Sequence, residues 1–154
     1  MEFLIQSNVH NLSKRGVRQW DPLSPLLFCI AEEVLSKGIS SLVASNRLLP
    51  MANPKHFATP THILYADDIF VFWRGTKKNI VNLMDLFHSN GEVSGQLISP
   101  KKCQFFQEAL STQRLRVIKY LLGFSMGFLP FIYLGVPLFL GKLWVCHFRP
   151  FIDR

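Results

Sequence analysis

Apolar residues follow two different rhythms along this chain, and the changes of rhythm mark its elements. The opening FLIQSNVH reads as a short strand running into a polar turn, and the basic stretch SKRGVRQ follows it. Leu23, Leu26, Leu27, Ile30 and Val34 then recur at helical spacing. With Asp21 as N-cap, Pro22 at the first helical position and Pro25 still in the first turn, they predict a helix over residues 22–43 that buries this face. The polar, proline-containing NRLLPMANPKHFATP makes a connector. Around YADD at 65–68 the period drops to two, with Ile63 and Tyr65 before it and Ile69, Val71 and Trp73 after it. That pattern predicts a β-hairpin with both aspartates at or beside its tip. Thr76 can cap a second helix whose stripe is Ile80, Leu83, Met84 and Phe87, ending at Asn90-Gly91. After a turn at SGQ, KKCQFF reads as a strand, and a third helix from Thr112 carries Leu115, Ile118 and Leu122 before Gly123 stops it. The tail is strand-like with glycine and proline corners. Helices and strands are mixed throughout without an internal repeat, which predicts an α+β fold.

Composition narrows the function classes. The 154 residues are 49% hydrophobic and 13% aromatic, enough for a packed core and against a disordered chain. A formal charge of +7 favours an acidic partner, nucleic acid or an anionic surface. The cysteines Cys29, Cys103 and Cys146 are odd in number, far apart and without metal-ligand spacing, so a disulfide framework or zinc site is not expected. The start MEFLIQSNVH lacks the basic and long apolar regions of a secretory signal. Residues 120–141 carry no charge and are long enough to span a bilayer. Four glycines and two prolines cut that run into pieces of strand length, and buried strands are the expectation there.

The chemistry concentrates at YADD. Adjacent carboxylates oppose each other's ionisation, so an Asp67-Asp68 pair between apolar strands is costly unless something binds it. A divalent cation would, since Mg²⁺ takes one or two carboxylates and fills its other positions with water and phosphate oxygens. A solvated acidic turn is the plainer alternative.

The tetrapeptide has company. RGVRQWDPLSPLLF at 15–28, YADD, SGQLISPKKC at 94–103 and LPFIYLGVPL at 129–138 occur in that order. Together they resemble motifs B, C and D of reverse transcriptases and the segment that follows in non-LTR, LINE-type retrotransposon enzymes. The resemblance implies part of a polymerase palm, an antiparallel sheet carrying the YADD hairpin with helices packed on one face. It implies RNA-templated DNA synthesis by two-metal nucleotidyl transfer with Mg²⁺, or Mn²⁺ in its place. Asp67 and Asp68 would be metal ligands and catalytic, Asp67 the main ligand, and Lys102 would sit by the triphosphate and help protonate the departing pyrophosphate. Arg18, Gln19, Tyr65 and Ala66 would lie against template and incoming nucleotide, and Leu134, Gly135 and Val136 near the primer. Taken alone, Lys102 is equally a solvated cation beside Lys101, and 134–136 equally simple sheet packing. The implied partners are an RNA template, a DNA primer and deoxynucleoside triphosphates, with no membrane; the family's chemistry points to the nucleus.

Two departures qualify this. Where the family pattern has glycine, Trp20 stands, and an indole offers neither the positive φ nor the room that glycine gives a ligand-facing loop. The carboxylate of motif A, which precedes motif B, has no counterpart in MEFLIQSNVHNLSK. The expectation is therefore one partial reverse transcriptase domain over 1–154, lacking fingers, motif A and most of a thumb. It would have little or no catalysis and would be prone to self-association through an exposed sheet edge and apolar surface. Two other readings stay open, a non-catalytic nucleic-acid-binding remnant and a membrane protein with a span at 120–141.

Overall fold

The computed structural model describes residues 2–11 by their backbone and residues 22–51, 59–107 and 111–138 in full. In chain order the elements are β1 (Glu2–Asn11), α1 (Ser24–Ala44), β2 (His62–Tyr65), β3 (Asp68–Arg74), α2 (Lys77–Ser94), β4 (Gln96–Ile98), β5 (Gln104–Gln107), α3 (Thr112–Leu122), β6 (Ser125–Met126), β7 (Phe131–Tyr133) and β8 (Val136–Leu138). The fold is α+β.

Strand β3 is buried on both faces, and its period-two alternation sorts the molecule into layers. One side carries Ile69, Val71 and Trp73, which pack with Phe105 of β5 against Leu35, Ile39 and Leu42 of α1, Ile80, Leu83 and Phe87 of α2, and Ile118 and Leu122 of α3. The other side carries Phe70 and Phe72, which with Phe106 form a smaller cluster covered by Phe131, Tyr133 and Leu138 of the β7–β8 pair. Helices thus cover one face of the sheet and a two-stranded sheet covers part of the other. The main sheet runs β2-β3-β1-β5-β6, and β4 also pairs with β1. Every pairing is antiparallel except β5 with β6, which is parallel.

β4 and β5 are two pieces of one line along β1. Gln96–Ile98 pairs with Val9–Asn11 and Gln104–Gln107 with Phe3–Gln6. Between them five residues, Ser99 to Cys103, stand against Ser7 and Asn8, so the segment must loop out. A turn bond from Lys102 N to Ser99 O, 3.0 Å, closes the loop.

The local signals for α2 and α3 act as their chemistry demands. The Thr76 hydroxyl accepts from Asn79 N at 3.2 Å, capping α2. Gly123, at φ 67°, ends α3 in the left-handed conformation, where the Cβ of any other residue would be strained. Asn90-Gly91 does not end α2, which continues to a left-handed cap at Gly95. Gly91 serves close packing instead: a Cβ there would stand 2.8 Å from Leu97 Cδ2 and 3.2 Å from Gln96 O. Similarly, the SGQ turn is short: Ser94 ends α2, Gly95 caps it and Gln96 already begins β4. The connector after α1 is partly core, with Leu48 and Met51 buried and Pro50 bridged to Trp73.

Helix α1 departs most from the sequence pattern. Its N-cap position falls on Leu23, with no side-chain cap, Pro25 lies in the first turn, and Asp21 lies outside the described residues. The face that its periodicity marked for burial is exposed: Leu26 is 60% and Ile30 61% accessible, with Leu23, Leu27 and Val34 close behind. The buried face is Glu32, Leu35, Ile39 and Leu42, at spacing i, i+3, i+7 and i+10. Both sides of the helix are apolar in part, and the side that completes the cluster under β3 is the one it turns inward. The cost is Glu32, 8% accessible, whose two carboxylate oxygens have no hydrogen-bond partner among the described residues and whose pKa burial pushes up. On β2, an edge strand, Leu64 packs toward the helices while Ile63 and Tyr65 are largely exposed. Ser36 Oγ meets His62 Nε2 at 2.8 Å and ties β2 to α1.

Among the described residues, no helix is long and apolar enough to cross a membrane, and residues 120–138 divide between the end of α3 and three short strands. The two faces of α1 predict a contrast. Leu35→Ala is expected to cost about 2–5 kcal/mol, by transfer and cavity terms, whereas Ile30→Ala should stay within about 0.5 kcal/mol of the parent. Paired urea melts measure the difference.

Candidate functional site

Antiparallel pairing runs from His62↔Val71 to Tyr65↔Asp68, so Ala66 and Asp67 alone join β2 to β3. A two-residue connection needs positive φ in its first or both positions to follow the strand twist. Ala66 supplies it at 51°, at a cost for an L-residue of about 1–2 kcal/mol. The apolar register on each side makes the turn's position unambiguous, because a one-residue slip would take Ile69, Val71 and Trp73 out of the core. Asp67 is exposed at the tip and Asp68 half-buried at the start of β3. By alternation Asp68 shares a sheet face with Phe70 and Phe72, the face that β7 and β8 cover.

A second turn stands beside this one. Tyr133 pairs with Val136, so Leu134 and Gly135 alone connect β7 to β8, at φ 49° and 83°. The hairpin is anchored through Phe131, which stacks on Phe106 at 4.4 Å and on Phe70 at 6.4 Å. This brings Tyr133 edge-on to Phe70, 4.6 Å between centroids, and to Tyr65, 6.5 Å. The Tyr133 hydroxyl oxygen is shielded from water, and among the described residues Asp68 is its hydrogen-bonding neighbour. Burial first, then the Asp68 carboxylate and more weakly Tyr65 and Asp67, push its pKa up to about 12.

The structure therefore gathers Tyr65, Ala66, Asp67 and Asp68 with the hairpin bearing Leu134, Gly135 and Val136, whose side chains at 134 and 136 are exposed. Lys102 is exposed in the looped-out segment 99–103. That loop stands opposite Ser7 and Asn8 of β1, and Asn8 on its other side pairs with Asp68. The loop bearing Lys102 and the strand start at Asp68 thus flank the same stretch of β1. Arg18, Gln19 and Trp20 lie outside the described residues. Tyr133 was missed from sequence; its only signal is its place immediately before a two-residue turn ending in glycine.

Asp67 and Asp68 are of the right chemistry for one hard cation that keeps water or phosphate oxygens in its other positions. Among the described residues no group of three His, Cys, Asp or Glu side chains forms, so the turn offers two carboxylates and no more from that set.

Folding raises the Tyr133 pKa above the ordinary 10.0, so its contribution to stability is full below pH 10 and is lost as pH rises toward 12. Of the three tyrosines, one should therefore ionise late in an ultraviolet titration, near pH 12. Tyr133→Phe should remove that late phase and leave the other two.

Residues 3–138 match the family described as reverse transcriptase (RNA-dependent DNA polymerase), and the chain belongs to that family.

Proposed function

We propose that this chain is a LINE-type reverse transcriptase palm in which Asp67 and Asp68 are ligands of a polymerase metal site and Trp20 has cost it nucleotidyl transfer. The observation that carries the reading is the Asp67-Asp68 pair on the two-residue connection between β2 and β3, beside the β7–β8 hairpin and across β1 from the Lys102 loop. In this reading the connection is the YADD hairpin of a palm, Asp67 is the main metal ligand and Asp68 the second. A bound Mg²⁺ or Mn²⁺ supplies activation of the primer hydroxyl and neutralisation of charge on the leaving pyrophosphate. The exposed Tyr65 ring and Ala66 backbone offer a surface for the incoming nucleotide, with Arg18 and Gln19 set against the template. Lys102 holds a proton and a positive charge for the triphosphate. Leu134, Gly135 and Val136 support the primer. The loss of transfer follows from Trp20, which stands where the family pattern has glycine and offers neither the positive φ nor the room that glycine gives a ligand-facing loop.

Primer extension on a primed RNA template with Mg²⁺ or Mn²⁺ tests this. The folded chain and its Asp67→Ala/Asp68→Ala variant should give the same absence of product. Extension by the parent that disappears in the double variant would overturn the loss of transfer and leave the polymerase assignment standing.

A second reading, retained nucleic-acid binding without chemistry, is favoured by the formal charge of +7 and by the exposed Lys77, Lys78, Lys101 and Lys102. Its signature is electrostatic. Affinity for single-stranded RNA should fall on a log–log plot against salt with a slope of about −0.7 per phosphate contact, and binding indifferent to salt would exclude it.

A further inference from the structure

The tips of two hairpins meet at the carboxylates, and they are built alike. Tyr65 precedes Ala66-Asp67, and Tyr133 precedes Leu134-Gly135. In each connection the first residue, an alanine and a leucine, is held at positive φ, 51° and 49°. Neither side chain favours that conformation, so each tip needs an outside contact to stay in it. The contact present is between the two tyrosines, ring edge to ring face at 6.5 Å and 86°. Tyr133 is in turn braced from below by Phe70 at 4.6 Å, and Phe70 is on the same strand and the same face as Asp68.

The hydroxyl adds chemistry to the brace. Its oxygen is shielded from water, and a shielded hydroxyl costs stability unless an acceptor is at hand. Among the groups around it, Asp68 stands first of the charged ones. An ionised carboxylate has about four lone-pair sites, so Asp68 can accept from the hydroxyl and still offer lone pairs to a cation.

We propose that Tyr133 is a positioning residue for the Asp67-Asp68 pair: its ring clamps Tyr65 at the turn, and its hydroxyl orients the Asp68 carboxylate toward a bound cation. The inference rests on the metal-site reading above and deepens it. It gives the YLGVPL segment a part in building the carboxylate site, in addition to any contact with primer. It also accounts for a strained turn on an edge strand holding its carboxylates in one geometry, since the second hairpin is packed on the core through Phe131, Phe70 and Phe106.

The test is Mn²⁺ binding by the whole chain, followed by loss of the free-ion electron paramagnetic resonance signal, for the parent, Asp67→Ala and Tyr133→Phe. Circular dichroism shows that each is folded. The parent should bind Mn²⁺ and Asp67→Ala should not. Tyr133→Phe, which keeps the ring and removes only the hydroxyl, should weaken binding about tenfold, the usual cost of losing a group that orients a metal ligand. Parent-like affinity in folded Tyr133→Phe overturns the inference and leaves the metal site intact. If the parent binds no Mn²⁺, the metal-site reading fails, and the positioning role is read on the metal-free protein. There the side-chain carboxyl carbon resonance of Asp68 should move in Tyr133→Phe while that of the exposed Asp85 on α2 does not, and an unmoved Asp68 overturns it.

Discussion

The structure depends on the alternation of β3. A strand buried on both faces must satisfy two different neighbours with one period, and β3 does so by giving Ile69, Val71 and Trp73 to the helices and Phe70 and Phe72 to the β7–β8 hairpin. Because Asp68 begins the same strand, its face is set by that division as well. The carboxylate lands on the hairpin side, half-buried, beside Tyr133, and the register that buries Trp73 is the register that presents Asp67 at the tip. Core packing and the candidate site are thus one constraint. A slip in one would dismantle the other.

The sheet around β3 places its charged neighbours by the same bookkeeping of register. β1 lies between β3 and the β4–β5 line, and it is where that line loops out that Lys102 is found. The carboxylate turn and the lysine-bearing loop therefore flank one short stretch of β1.

Helix α1 shows the energetic tension in the molecule. Its inward face includes a carboxyl whose oxygens have no partner among the described residues, while its outward face carries Leu23, Leu26, Leu27, Ile30 and Val34. Rotating the helix to bury the outer stripe would withdraw Leu35, Ile39 and Leu42 from the cluster beneath β3. Those three, fully buried, outweigh one strained carboxyl. The same helix sits against α2 at Gly38, where a Cβ would come within 2.8 Å of Leu86 Cδ1, so the close approach of the two helices fixes the rotation further.

Short-range chemistry was legible in the chain itself. Thr76 caps α2 and Gly123 ends α3 because a hydroxyl at an N-terminus and a residue free to take positive φ at a C-terminus act through neighbours a few positions away. The family could be read there too, since the order of short motifs is a property of sequence. What tertiary structure decided were the choices between equivalent local patterns. Periodicity announces that α1 has an apolar face but cannot say which of two such faces meets the sheet. Gly91 looks like a helix end and is instead a gap left for β4 to approach. Tyr133 acquires its place only because β7 and β8 fold back onto Phe70 and Phe106, bringing together side chains far apart along the chain. Local signals act over a turn or two of backbone, and such long-range contacts depend on which surfaces the whole chain manages to bury.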